Sequence, residues 1–343
     1  METRKTFALI ILITLIFLGG CASPSSPAGD AQPQPTPSET VTQRAPSETF
    51  IPSATAIKVI PTDSPIPMHT PTEAIPTEIS TPKPQRTLIP IKTYSDIQYG
   101  ATQNQILDVY QPQIEGQTLP TLVLIHGSGS GKFYMIDTAE YFARHGYAVV
   151  VYNKGLGTYS RNEQDSFCAL AWVHANADTY GFDTQRIVPV GFSLGGALAA
   201  FMGTVDDPGK YMEDCPHTLP VEDFMRAVIT VAGFFDYSLW IPGAQEGGLI
   251  YSYFGLPNEH MEEIQEASPI TWVDGSEPPF LLIHGENDGT VDPAQSEMFA
   301  ARLTEAGVAV ELLMQPNLIH DSITTSPKVL IPIRDFLTDL FSE

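Results

Sequence analysis

Between residues 121 and 315 the chain carries five short runs with no polar interruption on either side of the strand repeat. Residues 121–125 (TLVLI) and 148–152 (AVVVY) are the clearest, with 187–190, 227–231 and 280–283 of the same kind. A strand with one wet face alternates apolar and polar residues, whereas a continuous apolar run marks a strand buried on both faces. Helical periodicity separates these runs, over residues 137–145, 163–180, 194–202, 293–306 and 327–341, and a last strand is expected at 308–313. Residues 95–99 and 106–110 alternate and read as a leading hairpin. Strands alternating with helices predict an α/β fold, a mostly parallel sheet covered by helices on both faces. The reactive groups of such sheets gather outside the carboxyl ends of the strands.

That pattern occupies one part of the chain. Residues 1–20 read as a signal peptide: Arg4 and Lys5 precede a twelve-residue apolar run, FALIILITLIFL, too short to span a bilayer comfortably. Leu18-Gly19-Gly20-Cys21 follows and resembles the lipobox of bacterial lipoproteins, which implies lipidation of Cys21 and anchoring to the outer side of the bacterial cell membrane. Residues 21–90 hold 15 of the 30 prolines, 19 serines and threonines and one aromatic residue, Phe50. So little apolar surface does not offset the entropy of ordering a chain, so a disordered tether is expected. Residues 91–343 form the expected catalytic domain, with 33 acidic against 11 basic residues. This acidity, without a Lys/Arg-rich run, argues against nucleic acid as a partner. The histidines lack metal-ligand spacing, no cofactor is expected, and the reading is of a monomer.

The run from Ile187 to Gly196, IVPVGFSLGG, is strand, then GxSxG, then helix. Small residues at Gly191 and Gly195 permit a sharp reversal that lifts the Ser193 hydroxyl clear of the sheet at a helix N-terminus. A serine nucleophile needs a base, and of the eight histidines His320 lies in the loop after the last strand, where the order nucleophile, acid, base expects it. His126 and His284, each in a His-Gly pair at a strand end, are expected to be structural. The supporting carboxylate is assigned to Asp288 in HGENDGTVD, with Glu286 and Asp292 as rivals. For the oxyanion, the Leu194 amide is one expected donor. The second is the amide of Ser128, alternatively of Gly129, in the loop HGSGSG. That loop lacks P-loop spacing.

Together the HGSG loop, GFSLGG, HGENDGTV and the late His320 resemble the α/β-hydrolase family of serine esterases and lipases, over residues 94–340. Residues 169–196 also look like the esterase segment leading into the nucleophile turn. The resemblance implies the α/β-hydrolase fold and hydrolysis of a small or polymeric ester by Ser193, Asp288 and His320, with Ser128 and Leu194 as oxyanion donors. The chain departs from the dienelactone-hydrolase branch, whose nucleophile is cysteine, and from HGGG esterases, by carrying Ser128. A serine peptidase on the same fold and a non-catalytic binding protein are the rival readings. An exported chain permits a Cys168–Cys215 disulfide between neighbouring helices. Aromatic residues Phe235, Tyr237, Trp240, Tyr251 and Phe254 read as a cap that either lines an apolar pocket or packs onto the core. Lys154, in the run Asn153–Gly157 after a strand end, reads either as facing the cleft or, as the preferred reading, as exposed.

Overall fold

The computed structural model describes residues 88–155, 159–221, 223–239, 253–255 and 259–342. The expected signal peptide, Cys21 and all but the last three residues of the expected tether lie outside the described residues, as do Trp240 and Tyr251. Eight strands form one sheet in the order β1-β2-β4-β3-β5-β6-β7-β8. β1 (Ile91–Gln98) and β2 (Ile106–Pro112) pair antiparallel, and β2 joins β4 (Ala148–Tyr152) antiparallel. From β4 through β3 (Leu119–Ile125), β5 (Phe182–Phe192), β6 (Val228–Val231), β7 (Phe280–Gly285) and β8 (Val310–Gln315), every pairing is parallel.

The uninterrupted apolar runs are explained by two cores. Val123, Ile125, Val150 and Tyr152 face one, where α2 (Arg161–Ala175), α4 (Leu194–Thr204) and α6 (Ala294–Ala306) contribute Phe167, Leu170, Leu198, Phe201, Phe299 and Leu303. Leu122, Leu124, Val149 and Val151 face the other, against Ala139 and Phe142 of α1 (Ile136–Arg144) and Val329, Ile333 and Leu337 of α7 (Pro327–Leu340). Phe142 and Phe167 have no exposed surface; truncating either to alanine costs about 3–5 kcal/mol.

Local chemistry moves some boundaries. The helix expected over 163–180 is two, because the chain leaves helical geometry at Asn176 (φ −111°, ψ 14°), whose side chain turns back to the Trp172 carbonyl at 2.8 Å. The four-residue α3 (Ala177–Tyr180) follows and ends on Gly181 at φ 67°. A short helix, α5 (Met261–Ala267), had no expectation to match. Cys168 in α2 and Cys215 form the expected disulfide.

The cap aromatics resolve toward packing. Phe235, Tyr237 and Phe254 are buried in the core, with Phe235 stacked on Phe299 at 4.3 Å and Tyr237 edge-on to Phe254 at 5.3 Å. Phe234 instead reaches the cleft described next.

Candidate active site

Ser193 caps α4 with φ 57° and ψ −122°, a conformation that side-chain-bearing residues rarely hold unless the surroundings enforce it. Its amide is tied to the Val231 carbonyl at 2.8 Å. The two flanking glycines are required by contact. A Cβ on Gly191 would sit 1.9 Å from the Gly195 oxygen, and one on Gly195 would sit 2.0 Å from the Ile125 oxygen. The strand–turn–helix reversal therefore holds Ser193 against the end of β3.

Two loops from the far side of the sheet meet this serine. His320 follows β8 and is anchored between buried Leu318 and Ile323. Its Nε2 lies 2.9 Å from Ser193 Oγ, and its Nδ1 lies 2.7 Å from Asp288 Oδ2. Asp288 follows β7, and its other oxygen, Oδ1, accepts the amides of Thr290 at 2.8 Å and Val291 at 2.9 Å. Burial by itself would raise this carboxyl. Hydrogen bonds from His284 and His320, then from the Val291 and Thr290 amides, outweigh it and hold Asp288 well below the usual carboxylate range. The two rival carboxylates are exposed. Asp292 precedes α6 and accepts the Ala294 amide at 2.9 Å.

Both His-Gly histidines are buried. His284 bonds Ser296 Oγ through Nδ1 at 2.7 Å and the Val291 carbonyl through Nε2 at 3.1 Å. A carbonyl only accepts, so the proton sits on Nε2 and Ser296 donates to Nδ1 in the neutral ring. His126 Nδ1 lies 2.9 Å from the Gly127 oxygen and 3.2 Å from Ser130 Oγ.

Lys154 corrects an expectation: it is buried, not exposed, with 7% of its surface accessible. It lies two residues past the end of β4 and contacts the 126–131 loop. Its Nζ donates to the Gly127 carbonyl at 2.8 Å and lies 2.9 Å from His126 Nδ1. The rule that reactive groups gather beyond strand ends pointed to this position; its polarity suggested solvent instead.

The cleft above Ser193 has a volume of about 720 Å³. Gly127, Ser128, Ser193 and His320 line it, Tyr134, Met135, Phe192, Phe234, Val291 and Ile323 give it apolar surface, and Ser130, Thr290, Asp321 and Thr324 add polar groups. Ser128 belongs to that lining. Leu194 is the first residue of α4, so its amide has no acceptor within the helix. Of the residues beyond the expected site, Phe234, Tyr134 and Met135 had no distinguishing signal in sequence. Among the described residues no group of three or more His, Cys, Asp or Glu is arranged to hold a metal ion.

Known proteins resemble this chain. The esterase LipC of Mycobacterium tuberculosis is 29% identical over 223 residues, covering 60% of this chain and 53% of LipC, so the match spans about half of that relative's length. A truncated carbohydrate esterase from gut microbiota superposes with a TM-score of 0.66 at 22% identity, over 76% of this chain and 99% of that one. Esterase 2 of Thermogutta terrifontis, solved with propionate bound, superposes with a TM-score of 0.58 at 23% identity, over 75% of this chain and 96% of that one. These two structures share the α/β fold. The BD-FAE family model matches residues 107–303, more than half of the chain, and the chain belongs to the BD-FAE family.

Proposed function

We propose that this chain is a serine hydrolase that cleaves carboxylic esters through an acyl-enzyme intermediate. The observation that carries the reading is the unbroken line Ser193 Oγ, His320 Nε2, His320 Nδ1 and Asp288 Oδ2, with spacings of 2.9 and 2.7 Å, at a mostly apolar cleft. Ser193 Oγ attacks the ester carbonyl as His320 Nε2 takes its proton. Asp288 accepts the Nδ1 proton, which fixes the imidazole tautomer and stabilises the cation that forms. The amides of Leu194 and Ser128 receive the developing oxyanion. His320 then protonates the departing alcohol and activates the water that frees the acid. Ser128 is preferred over Gly129 as donor because it belongs to the cleft lining and Gly129 does not.

The apolar surface of the cleft suits acyl or alcohol groups without charge, and the propionate held by the Thermogutta esterase is in keeping with a small acyl group. In the same reading, the twelve apolar residues before Cys21 export the chain and a lipid on Cys21 anchors it, with the proline-rich segment as spacer.

Hydrolysis of p-nitrophenyl acetate, butyrate and octanoate, set beside aminoacyl p-nitroanilides, tests this reading. The expected result is turnover of the esters, with Ser193→Ala inactive. Preferential cleavage of the anilides would move the chain to the peptidases, and no turnover of either would leave a binding protein.

A further inference from the structure

The Gly127 carbonyl and the Ser128 N–H belong to one peptide unit. The unit is trans, like every described peptide bond, so its oxygen and hydrogen point in opposite directions and fixing one fixes the other. The oxygen is held by three groups, those of Lys154 and His126 outside the cleft lining and that of Ser130 within it. Lys154 Nζ donates to it at 2.8 Å and Ser130 Oγ at 3.0 Å, and His126 Nδ1 stands 2.9 Å away. The two residues that the unit joins, Gly127 and Ser128, line the cleft beside Ser193, and Lys154 does not. Gly127 is so near that a Cβ there would stand 3.3 Å from the Ser193 Cβ.

Burying a lysine amine is costly. Among the described residues none of the close partners of Lys154 is a carboxylate. Asp165 acts on it only from a distance, being engaged by Gln105 Nε2 at 2.8 Å, the Gly155 amide at 2.6 Å and Arg161 Nε at 3.3 Å. His126 Nδ1, 2.9 Å from the amine, offsets part of the cost but brings no negative charge. The His126 Nε2 has no hydrogen-bond partner among the described residues, and burial, reinforced by Lys154, keeps the ring neutral by holding it down at about 3. Besides His126, the buried amine reaches the oxygen of the peptide that presents Ser128 N–H.

We infer that Lys154 is a positioning residue for ester hydrolysis: from outside the cleft lining it holds and polarises the Gly127–Ser128 peptide so that the Ser128 amide is aimed at the oxyanion. A donor on the carbonyl oxygen withdraws electron density through the amide and strengthens the N–H as a donor. It also sets the peptide plane before substrate arrives, which is the condition for stabilising charge that develops only in the transition state. Burial lowers the amine to about 7, against a smaller opposing pull from Asp165, so the group carries its charge through the mildly acidic range.

The inference rests on the proposed esterase reading, and the test separates the two. The purified full chain, Lys154→Met, Ser130→Ala and Ser193→Ala are compared on p-nitrophenyl butyrate, with a trifluoromethyl ketone as a mimic of the tetrahedral intermediate and thermal unfolding as a check of folding. Loss of one oxyanion donor lowers kcat about 10²–10³-fold, and a misaimed donor approaches the lower figure. Lys154→Met is expected to lose kcat by about 10²-fold with KM within threefold, and to bind the ketone more weakly in the same proportion. Ser130→Ala, a change in the half-buried loop that leaves the core intact, shifts both in the same direction by a smaller factor. A folded Lys154→Met with kcat within twofold of the parent overturns the inference, as does a loss of kcat unmatched by the ketone. If Lys154→Met does not fold, an unchanged kcat in Ser130→Ala overturns it instead. A parent that hydrolyses no ester, or a Ser193→Ala as active as the parent, refutes the esterase reading itself.

Discussion

The same dipeptide, His-Gly, follows β3 and ends β7, and the two copies are used differently. At β7, His284 is satisfied on both nitrogens, and the loop beyond it turns Asp288 toward His320 with both carboxylate oxygens engaged. At β3, His126 has one nitrogen crowded by Lys154, Ser130 and the Gly127 oxygen, and the other without a partner among the described residues. The first loop fixes a charge that is present throughout turnover, and a closed hydrogen-bond network suits that task. The second presents backbone to a charge that exists only in the transition state, and it rests on a buried amine. Fully satisfied polar networks rigidify a site, while unpaired buried polar groups are costly. The acid loop is therefore expected to be the stable half of the cleft and the 126–131 loop the costly one.

The largest effect expected on the acid side is that of Asp288→Asn, which leaves the shape intact but favours the wrong imidazole tautomer. Steady-state kinetics is expected to show kcat lower by about 10⁴-fold. Glu286→Gln and Asp292→Asn are expected to stay near the parent, and an equal loss in either would reassign the acid. Next in size is a contrast in stability. His284→Phe strands Ser296 and the Val291 carbonyl and is expected to cost about 2–4 kcal/mol, whereas His126→Phe, which gives up a ring with one unpartnered nitrogen, costs less. Denaturant melts of both variants measure the difference, and equal losses would erase the contrast between the two pairs.

The smallest effect concerns pH. The Lys154 amine sits at about 7 when folded and near 10.5 when free, so between these values the unfolded chain binds the extra proton. Stability from this group therefore rises with pH from about 7 to 10.5 and is lost as pH falls through 7. Asp288 works elsewhere: its contribution holds above about 3.8 and fades as pH falls below that value. Melting temperatures across pH 6–10 are expected to climb more in the parent than in Lys154→Met. Parallel curves would show that the amine is not perturbed.

Much of this arrangement is legible in sequence because it is written in local chemistry. Uninterrupted apolar runs mark strands between two cores, GxSxG between strand and helix marks the sharp turn, and chain order separates His320 from the other histidines. The split at Asn176 was not legible, since the apolar pattern continues across it while one side-chain hydrogen bond ends the helix. The cap aromatics Phe235, Tyr237 and Phe254 look the same in sequence whether they line a pocket or fill a core; only their three-dimensional partners decide. Lys154 is the clearest case. A single lysine after a strand reads as solvated, and its burial depends on contact with a loop more than twenty residues earlier in the chain.

Ser193 is the point on which both halves of the cleft converge, and its reactivity is the most direct test. The purified protein is treated with a fluorophosphonate probe, its residual ester hydrolysis is followed, and the modified peptide is mapped by mass spectrometry. The expected result is one adduct per chain, on Ser193, with activity lost in step with labelling and no adduct in His320→Ala on the same timescale. Activity that survives complete labelling, or an adduct on any other residue, would contradict a Ser193-centred mechanism.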